Sequence, residues 1–377
     1  MHKTARTIFG AALVLLALPA CTDLTVQPKS SIGSSAVFAD AASYKAYIAK
    51  IYGGLQVSGQ AGPAGLPDIS GIDEGFSQYI RLLWQMQELP TDEAVIAWGD
   101  AGVQELNTQL WGSSNQFLVS MYYRIYFQVA LVNEFLRQTT DAQLAGRGVT
   151  GQLAADIKQY RAEARYLRAL SYWHGIDLFG DIPLVKEDFA LGTTPPPQST
   201  RTQIFDFVVA ELNAAKTDLP AAGAGEYGRA NQGAVAMLLA KLYLNAQVYT
   251  GTQHNADVIT ALQPVLSATA YQLDPSFQHL FLADNNTSKE IIFAVPFDGK
   301  RTQSYGGTTF LTHAAVGNNI DPATIGLDGG WYGLRVRPSV VALFPGVTGP
   351  DHRSSYFFTS GQSLTINSLT DFGQGYL

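Results

Sequence analysis

Along the first part of the chain, apolar side chains recur at the 3, 4, 7 spacing that puts them on one helix face. In residues 40–55 these are Tyr44, Tyr47, Ile48, Ile51, Tyr52 and Leu55, and Gly53-Gly54 follow where a left-handed turn would end the helix. The Gly- and Pro-rich stretch 56–75 reads as a long loop, and 76–87 as a helix that stops before Pro90. Residues 116–138 are apolar on most of their circumference, from Phe117, Leu118 and Met121 through Ile125, Val129 and Val132 to Phe135 and Leu136. That pattern predicts a helix buried among others. Residues 155–178 follow, with Ile157, Tyr160, Ala164, Leu167, Leu170 and Tyr172 turned inward, and end at Gly180-Asp181-Ile182-Pro183.

Pro195-Pro196-Pro197 lead to Thr200, which has the spacing of a capping box with Gln203. The helix it opens, 202–219, directs Ile204, Phe205, Val208, Leu212 and Ala215 inward. Its partner, 232–249, carries Gly233, Ala236, Ala240, Leu244 and Val248, and small residues there let two helices approach closely, as in tetratricopeptide hairpins. The hairpins share no strict period. A further helix is expected near 256–267 and a strand at 290–296, where Ile291, Ile292, Phe293 and Val295 cluster. Residues 298–377, rich in Gly, Asn, Thr and Ser, read as loops and short strands. The expected fold is mainly α: irregular tetratricopeptide-like helical hairpins with a loop-rich distal region containing short strands.

The amino terminus changes the compartment. His2, Lys3 and Arg6 precede an apolar run from Ile8 to Leu18, long enough for a signal-peptide core and shorter than the roughly 20 residues of a spanning helix. Leu18-Pro19-Ala20 then precede Cys21, the only cysteine. This arrangement resembles a bacterial lipoprotein signal, with 1–20 expected as the signal peptide, Cys21 as the lipid attachment and 21–35 as a polar lipidated tether; the alternative is an ordinary secretory signal with a chance cysteine. Each buried methylene of an acyl chain contributes about 0.8 kcal/mol, so several chains hold a protein firmly. With Lys3 and Arg6 removed, 22 basic side chains face 31 acidic ones, a formal charge of −9 against −7 for the whole chain. Such a balance gives no reason to expect nucleic acid, and a lone cysteine excludes a disulfide framework.

Reactive motifs are few. Residues 223–228 fit G-x-G-x-x-G, but a helix ending near Leu219-Pro220 stands where a strand would be needed, and no acid follows at 245–250. They read as a connector. None of His2, His174, His254, His279, His313 and His352 pairs with another at metal-ligand spacing, and His174 is expected to be packed in the core. Asp284, Asn286, Ser288 and Glu290 alternate oxygen-bearing side chains without the glycine of an EF-hand, so a polar turn is expected there. Arg161, Arg165 and Arg168 share a helix side and are expected to pair with carboxylates such as Glu163 or acids on the neighbouring helix. No cofactor or metal is expected, and only a catalytic carboxylate pair, recognised by distance in space, stays open to an enzyme. Loop aromatics carry more promise, because sugars lay their C–H faces on rings while a few polar groups fix orientation. Trp98 with Gly99-Asp100, Tyr305, and Trp331-Tyr332 with Gly333 are the candidates.

Within residues 162–185 the string EARYLRALSYWHGIDLFGDIPLV resembles the signature of the SusD/RagB family of outer-membrane nutrient-binding lipoproteins. Thr91-Asp92-Glu93 and Trp98-Gly99-Asp100, the small-residue helix in 228–249, Glu290-Ile291-Ile292-Phe293, and Gly330-Trp331 with Asp351 and Arg353 resemble further family segments in the same order. The resemblance implies a helical-repeat region over 36–297 and the loop-rich part of a carboxy-terminal region over 298–377, incomplete because family members continue further. It implies a non-catalytic protein on the exterior of the outer membrane that binds oligosaccharide or another nutrient oligomer and passes it to a SusC-like TonB-dependent transporter. It also implies that the Trp98 loop presents a ring to the ligand, with Trp98, Asp100, Tyr305, Trp331 and Tyr332 as expected binding residues. The rival readings are a lipid-anchored helical-repeat scaffold of the envelope and a lipid-anchored glycan hydrolase.

Overall fold

The computed structural model describes residues 33–357 except 64–65, 191, 193, 318–319, 345–350 and 352. The expected signal peptide, Cys21 and most of the tether lie outside the described residues, as do 358–377. The chain divides into two compact units, 1–43 and 44–377. In the first, the described residues form one helical turn, α1 (Ser34–Val37), and the start of α2 (Ala41–Gly53), where Asp40 Oδ1 accepts the amide of Ala42 at 3.1 Å.

The second unit is mainly helical. After α2 come α3 (Tyr79–Glu88), β1 (Ala94–Ile96), α4 (Val103–Thr108), α5 (Gln116–Gln138), α6 (Asp141–Gly146) and α7 (Gly151–Phe179). Then follow β2 (Ile182–Pro183), β3 (Gln198–Ser199), α8 (Arg201–Lys216), α9 (Gln232–Leu244), α10 (Ala246–Thr250) and α11 (Asn255–Leu266). The distal part holds α12 (Gly307–Ala314), β4 (Leu334–Val336), α13 (Pro338–Val341) and short 3₁₀ turns.

Helix α5 spans the residues its pattern predicts. Asn115 caps it by accepting the amides of Phe117 and Leu118, and Phe117, Met121, Ile125, Val129, Val132 and Phe135 are buried. It packs on α7, which packs in turn on α8, while α9 lies against α8 and α11. At Gly175 a Cβ would stand 2.5 Å from Ile182 Cδ1, so glycine lets α7 run against β2 without displacing that side chain. The capping box at Thr200 and Gln203 is formed in both directions.

Three expectations are corrected. Residues 290–296 are not a strand: among the described residues the strands pair only as β1 with β4 and β2 with β3. The apolar run is consumed by packing instead, with Phe293 edge-on to Tyr166 at 5.2 Å. The helix expected over 232–249 breaks at Asn245, which caps α9 through its amide to the Lys241 and Tyr243 carbonyls before α10 begins. The region beyond 298 contains a helix, α12, that its Gly- and Thr-rich sequence conceals. Its burial of Phe310 and Ala314 and its packing on α3 stabilise it. At its start, Gln78 Oε1 accepts the Gly307 amide at 3.0 Å, and a Cβ on Gly306 would lie 2.2 Å from that oxygen.

Candidate functional site

The antiparallel ladder Ala94↔Val336, Val95↔Arg335, Ile96↔Leu334 joins two segments more than 200 residues apart. It continues one step further, where the Ala97 amide donates to the Gly333 carbonyl at 2.7 Å. Trp98 and Trp331 are thereby brought side by side at the end of the ladder. The amides of Trp331, Tyr332 and Gly333 donate to the carbonyls of His313, Val316 and Ala314, which fixes the distal segment to the end of α12.

Trp98 Nε1 donates to the Trp331 carbonyl at 3.0 Å, and the two rings lie 6.3 Å apart. Tyr305 meets Trp331 edge-on at 5.9 Å, and Trp98 meets Phe310 at 6.2 Å. A Cβ on Gly333 would stand 2.2 Å from Trp98 Cε2, so the indole occupies space that only glycine vacates. Trp98 and Trp331 are half-buried and Tyr305 is 42% exposed, so the group presents ring surface to solvent instead of closing on itself.

Arg81 supports the platform from beneath. Its guanidinium lies 4.8 Å from the Phe310 ring and 5.5 Å from Trp98, and Nη1 donates to the Tyr305 carbonyl at 2.9 Å. Burial lowers its pKa to about 10, opposed by the charges of Asp100 and Asp73, so it stays protonated at neutral pH. Asp73 Oδ1 accepts the Phe76 amide at 3.0 Å and closes the turn at Gly75, whose Cβ position is 3.5 Å from the Tyr305 ring. His313 stacks at 5.1 Å on Trp331 and meets Asp328 Oδ1 through Nε2 at 2.9 Å. That contact holds the Asp328 carboxyl below the usual carboxylate range.

The structure therefore brings Trp98, Tyr305 and Trp331 together and sets exposed Asp100 in the field of Arg81. Tyr332 differs: it holds a left-handed backbone, φ 47°, and its ring lies under the Arg335 guanidinium at 3.7 Å. The sequence reading missed Arg81, Phe310 and His313, and also Trp84, which meets Phe310 edge-on at 5.6 Å. Arg81 and Trp84 lie on a helix, where aromatic and paired residues read as core, and the Gly- and Thr-rich sequence of α12 carries little local helix signal.

The remaining motifs resolve structurally. Arg168 is buried between Glu211 and Glu187, at 2.5 and 2.6 Å, and also donates to Asn133 Oδ1; Arg165 pairs with Glu211 and Arg161 with Asp141. Glu163 is held by Arg229 and by Tyr52, whose hydroxyl donates to it at 2.8 Å, not by the neighbouring arginines. His174 is buried beside the Tyr79 hydroxyl at 2.9 Å, and burial, with Lys241 nearby, lowers its pKa to about 3. Residues 223–228 are the loop between α8 and α9. Asn285–Thr287 form a 3₁₀ turn, and Glu290 accepts the Asp274 amide. Among the described residues no three His, Cys, Asp or Glu side chains converge as metal ligands. A cleft of about 580 Å³ lies between α6, α7 and α8 and contains none of these rings, and its charges are already paired, Lys158 with Asp218 and Arg161 with Asp141.

No family model matches the chain. It is 33% identical over 357 residues to the starch-binding protein SusD of Bacteroides thetaiotaomicron, covering 91% of this chain and 60% of that protein. It is 23% identical over 330 residues to SusD-like protein P2 of Formosa agariphila, covering 85% of this chain and 58% of that one. Among solved structures, surface glycan-binding protein A from Bacteroides uniformis superposes with a TM-score of 0.64 at 19% identity, over 89% of this chain and 69% of that one. Surface glycan-binding protein A from Bacteroides thetaiotaomicron, in complex with laminarihexaose, gives 0.61 at 18% identity, over 83% and 62%. The chain thus spans about 60% of the length of the curated relatives it matches over most of its own.

Proposed function

Since the chain belongs to the SusD-like family, we propose that it is a surface-exposed lipoprotein that binds glycan on the Trp98–Tyr305–Trp331 platform and passes it to a SusC-like TonB-dependent transporter. The observation that carries this reading is the convergence of three rings from loops far apart in sequence onto one solvent-facing surface. Saccharide C–H faces stack on such rings, and the carboxylates of Asp73, Asp100 and Asp328 around them are acceptors for hydroxyl groups. Relatives are named as a starch-binding protein and as a glycan-binding protein holding laminarihexaose, so soluble starch and laminarin are the first ligands to try.

Capture needs no bond chemistry. The mechanism is reversible stacking and hydrogen bonding with modest affinity, which lets the ligand leave again toward the transporter. In this reading Cys21 carries the lipid that anchors the chain to the outer membrane, with the binding face toward the exterior.

The experiment is affinity electrophoresis in gels containing starch or laminarin, comparing wild type with Trp331→Ala and Tyr305→Ala. Retardation of wild type by at least one polymer, lost in both variants while their melting temperatures hold, supports the proposal. Equal retardation of all three proteins removes the platform from the binding role.

A further inference from the structure

A concave surface lies next in sequence to the platform. It is a cleft of about 390 Å³ between residues 49–62 and 300–303, lined by Lys50, Gln60, Lys300, Arg301 and Gln303 together with glycine backbone. Gln303 is two residues from Tyr305, so their Cα atoms are within about 7 Å, less than the length of a disaccharide.

The charge of this cleft runs against that of the molecule. The chain as a whole carries −7, yet the lining holds three cations and no carboxylate. Asp298 builds the tip that presents two of them. Its Oδ1 accepts the amides of Lys300, Arg301 and Thr302, and Oδ2 takes Arg301 Nη1 at 2.8 Å, which holds this carboxyl far below the usual range. The Arg301 side chain is otherwise exposed, and among the described residues no carboxylate bridges the Lys300 ammonium. Lys50 is fixed against both oxygens of Asp68, at 2.7 and 2.8 Å. That carboxylate is buried. Lys50 and Arg301 are thus balanced by Asp68 and Asp298, and Lys300 leaves the cleft one positive charge in excess.

We propose that this cleft is a subsite for an anionic substituent, a carboxylate, sulfate or phosphate ester, on the glycan whose neighbouring sugars lie on the Trp98–Tyr305–Trp331 platform. The inference rests on the platform reading and adds to it a preference for acidic over neutral polymers. Lys300 and Arg301 supply the attraction, and Gln303 lines the pocket with an amide that can bond sugar hydroxyls, while Gln60, whose Nε2 donates to Asp68 at 2.9 Å, and Lys50 are held on that carboxylate.

The test measures retention of wild type, Lys300→Ala/Arg301→Ala and Trp331→Ala in gels containing amylose or carboxymethylated amylose at low and at physiological salt. Wild type should be held more strongly by the carboxymethylated polymer, with the advantage shrinking as salt rises. The double variant should lose that advantage, about three- to tenfold, and keep its amylose retention. A wild type without acidic preference, or a double variant that keeps one, overturns the proposal. Inorganic sulfate displacing the acidic polymer at a matched concentration of anionic groups assigns the cleft to free anions and also overturns it. Trp331→Ala reports separately: undiminished retention on both polymers sinks the platform reading, whereas loss of both, with the double variant behaving as stated, sustains the two together.

Discussion

Trp331 and Trp98 make the same kind of surface but do different structural work. Trp331 is half-buried and meets the rings of Trp98, Tyr305 and His313, so its removal chiefly deletes ring surface. We expect Trp331→Ala to weaken glycan binding about tenfold by isothermal titration with little change in melting temperature. Trp98 also packs on Phe310, covers Arg81 and fills the space above Gly333. Trp98→Ala should therefore cost binding and also about 2–4 kcal/mol in urea unfolding, within the range for deleting a well-packed large side chain. Gly333→Ala tests the geometry without touching a ring. Its methyl group would collide with the indole, so Trp98 fluorescence should shift and retention on glycan gels should fall, while Gly329→Ala, where a Cβ meets nothing within 4 Å, should leave both unchanged.

Helices α3, α7 and α8 are joined by buried polar contacts whose loss can be read in stability. Arg168 sits 1% exposed between Glu211 and Glu187, and removing one partner of a buried pair strands the other. Glu211→Ala should destabilise the fold by about 3–5 kcal/mol in denaturant melts, whereas the joint replacement Arg168→Met/Glu211→Leu should cost less. Acid acts on the same elements. Burial pushes the Glu187 carboxyl up, but Arg168 and Arg165 more than offset this and hold it below the ordinary range. Its stabilisation is present above the unfolded glutamate pKa and fades as pH falls through the folded one. His174, which the fold keeps neutral down to about pH 3, protonates near pH 6.5 when unfolded, so its contribution declines as pH drops from 6.5 toward 3. Thermal melts between pH 7 and pH 4 should show a shallower acid decline for His174→Gln than for wild type. An equal slope would place the acid sensitivity elsewhere.

For the molecule as a whole, the proposed role couples an anchor to a receptor face. Metabolic labelling with a fatty-acid probe should mark the wild type and not Cys21→Ser, and protease added to intact cells should reach the wild type. Protection from protease would favour a periplasm-facing scaffold instead. The likeness to SusD runs through most of this chain at 33% identity, although the chain spans only 60% of that protein.

How much of this was legible beforehand follows from the range of the forces involved. Periodicity and capping are local, so the apolar pattern predicts α5 with its observed ends and spacing alone gives the Thr200–Gln203 box. The pairing of Arg168 with acids was likewise readable, because arginines on an inward helix side need partners. Loop aromatics flanked by glycine pointed to Trp98, Tyr305 and Trp331 one at a time. Only the fold could assemble them, because the β1–β4 ladder and α12 are long-range contacts with weak local signals: three-residue strands and a helix of Gly, Thr and His whose stability comes from burying Phe310 on α3. For the same reason Arg81 could not be recognised. Its role depends on Phe310 and Tyr305, more than 200 positions away, and that proximity is a property of tertiary packing, not of any stretch of sequence.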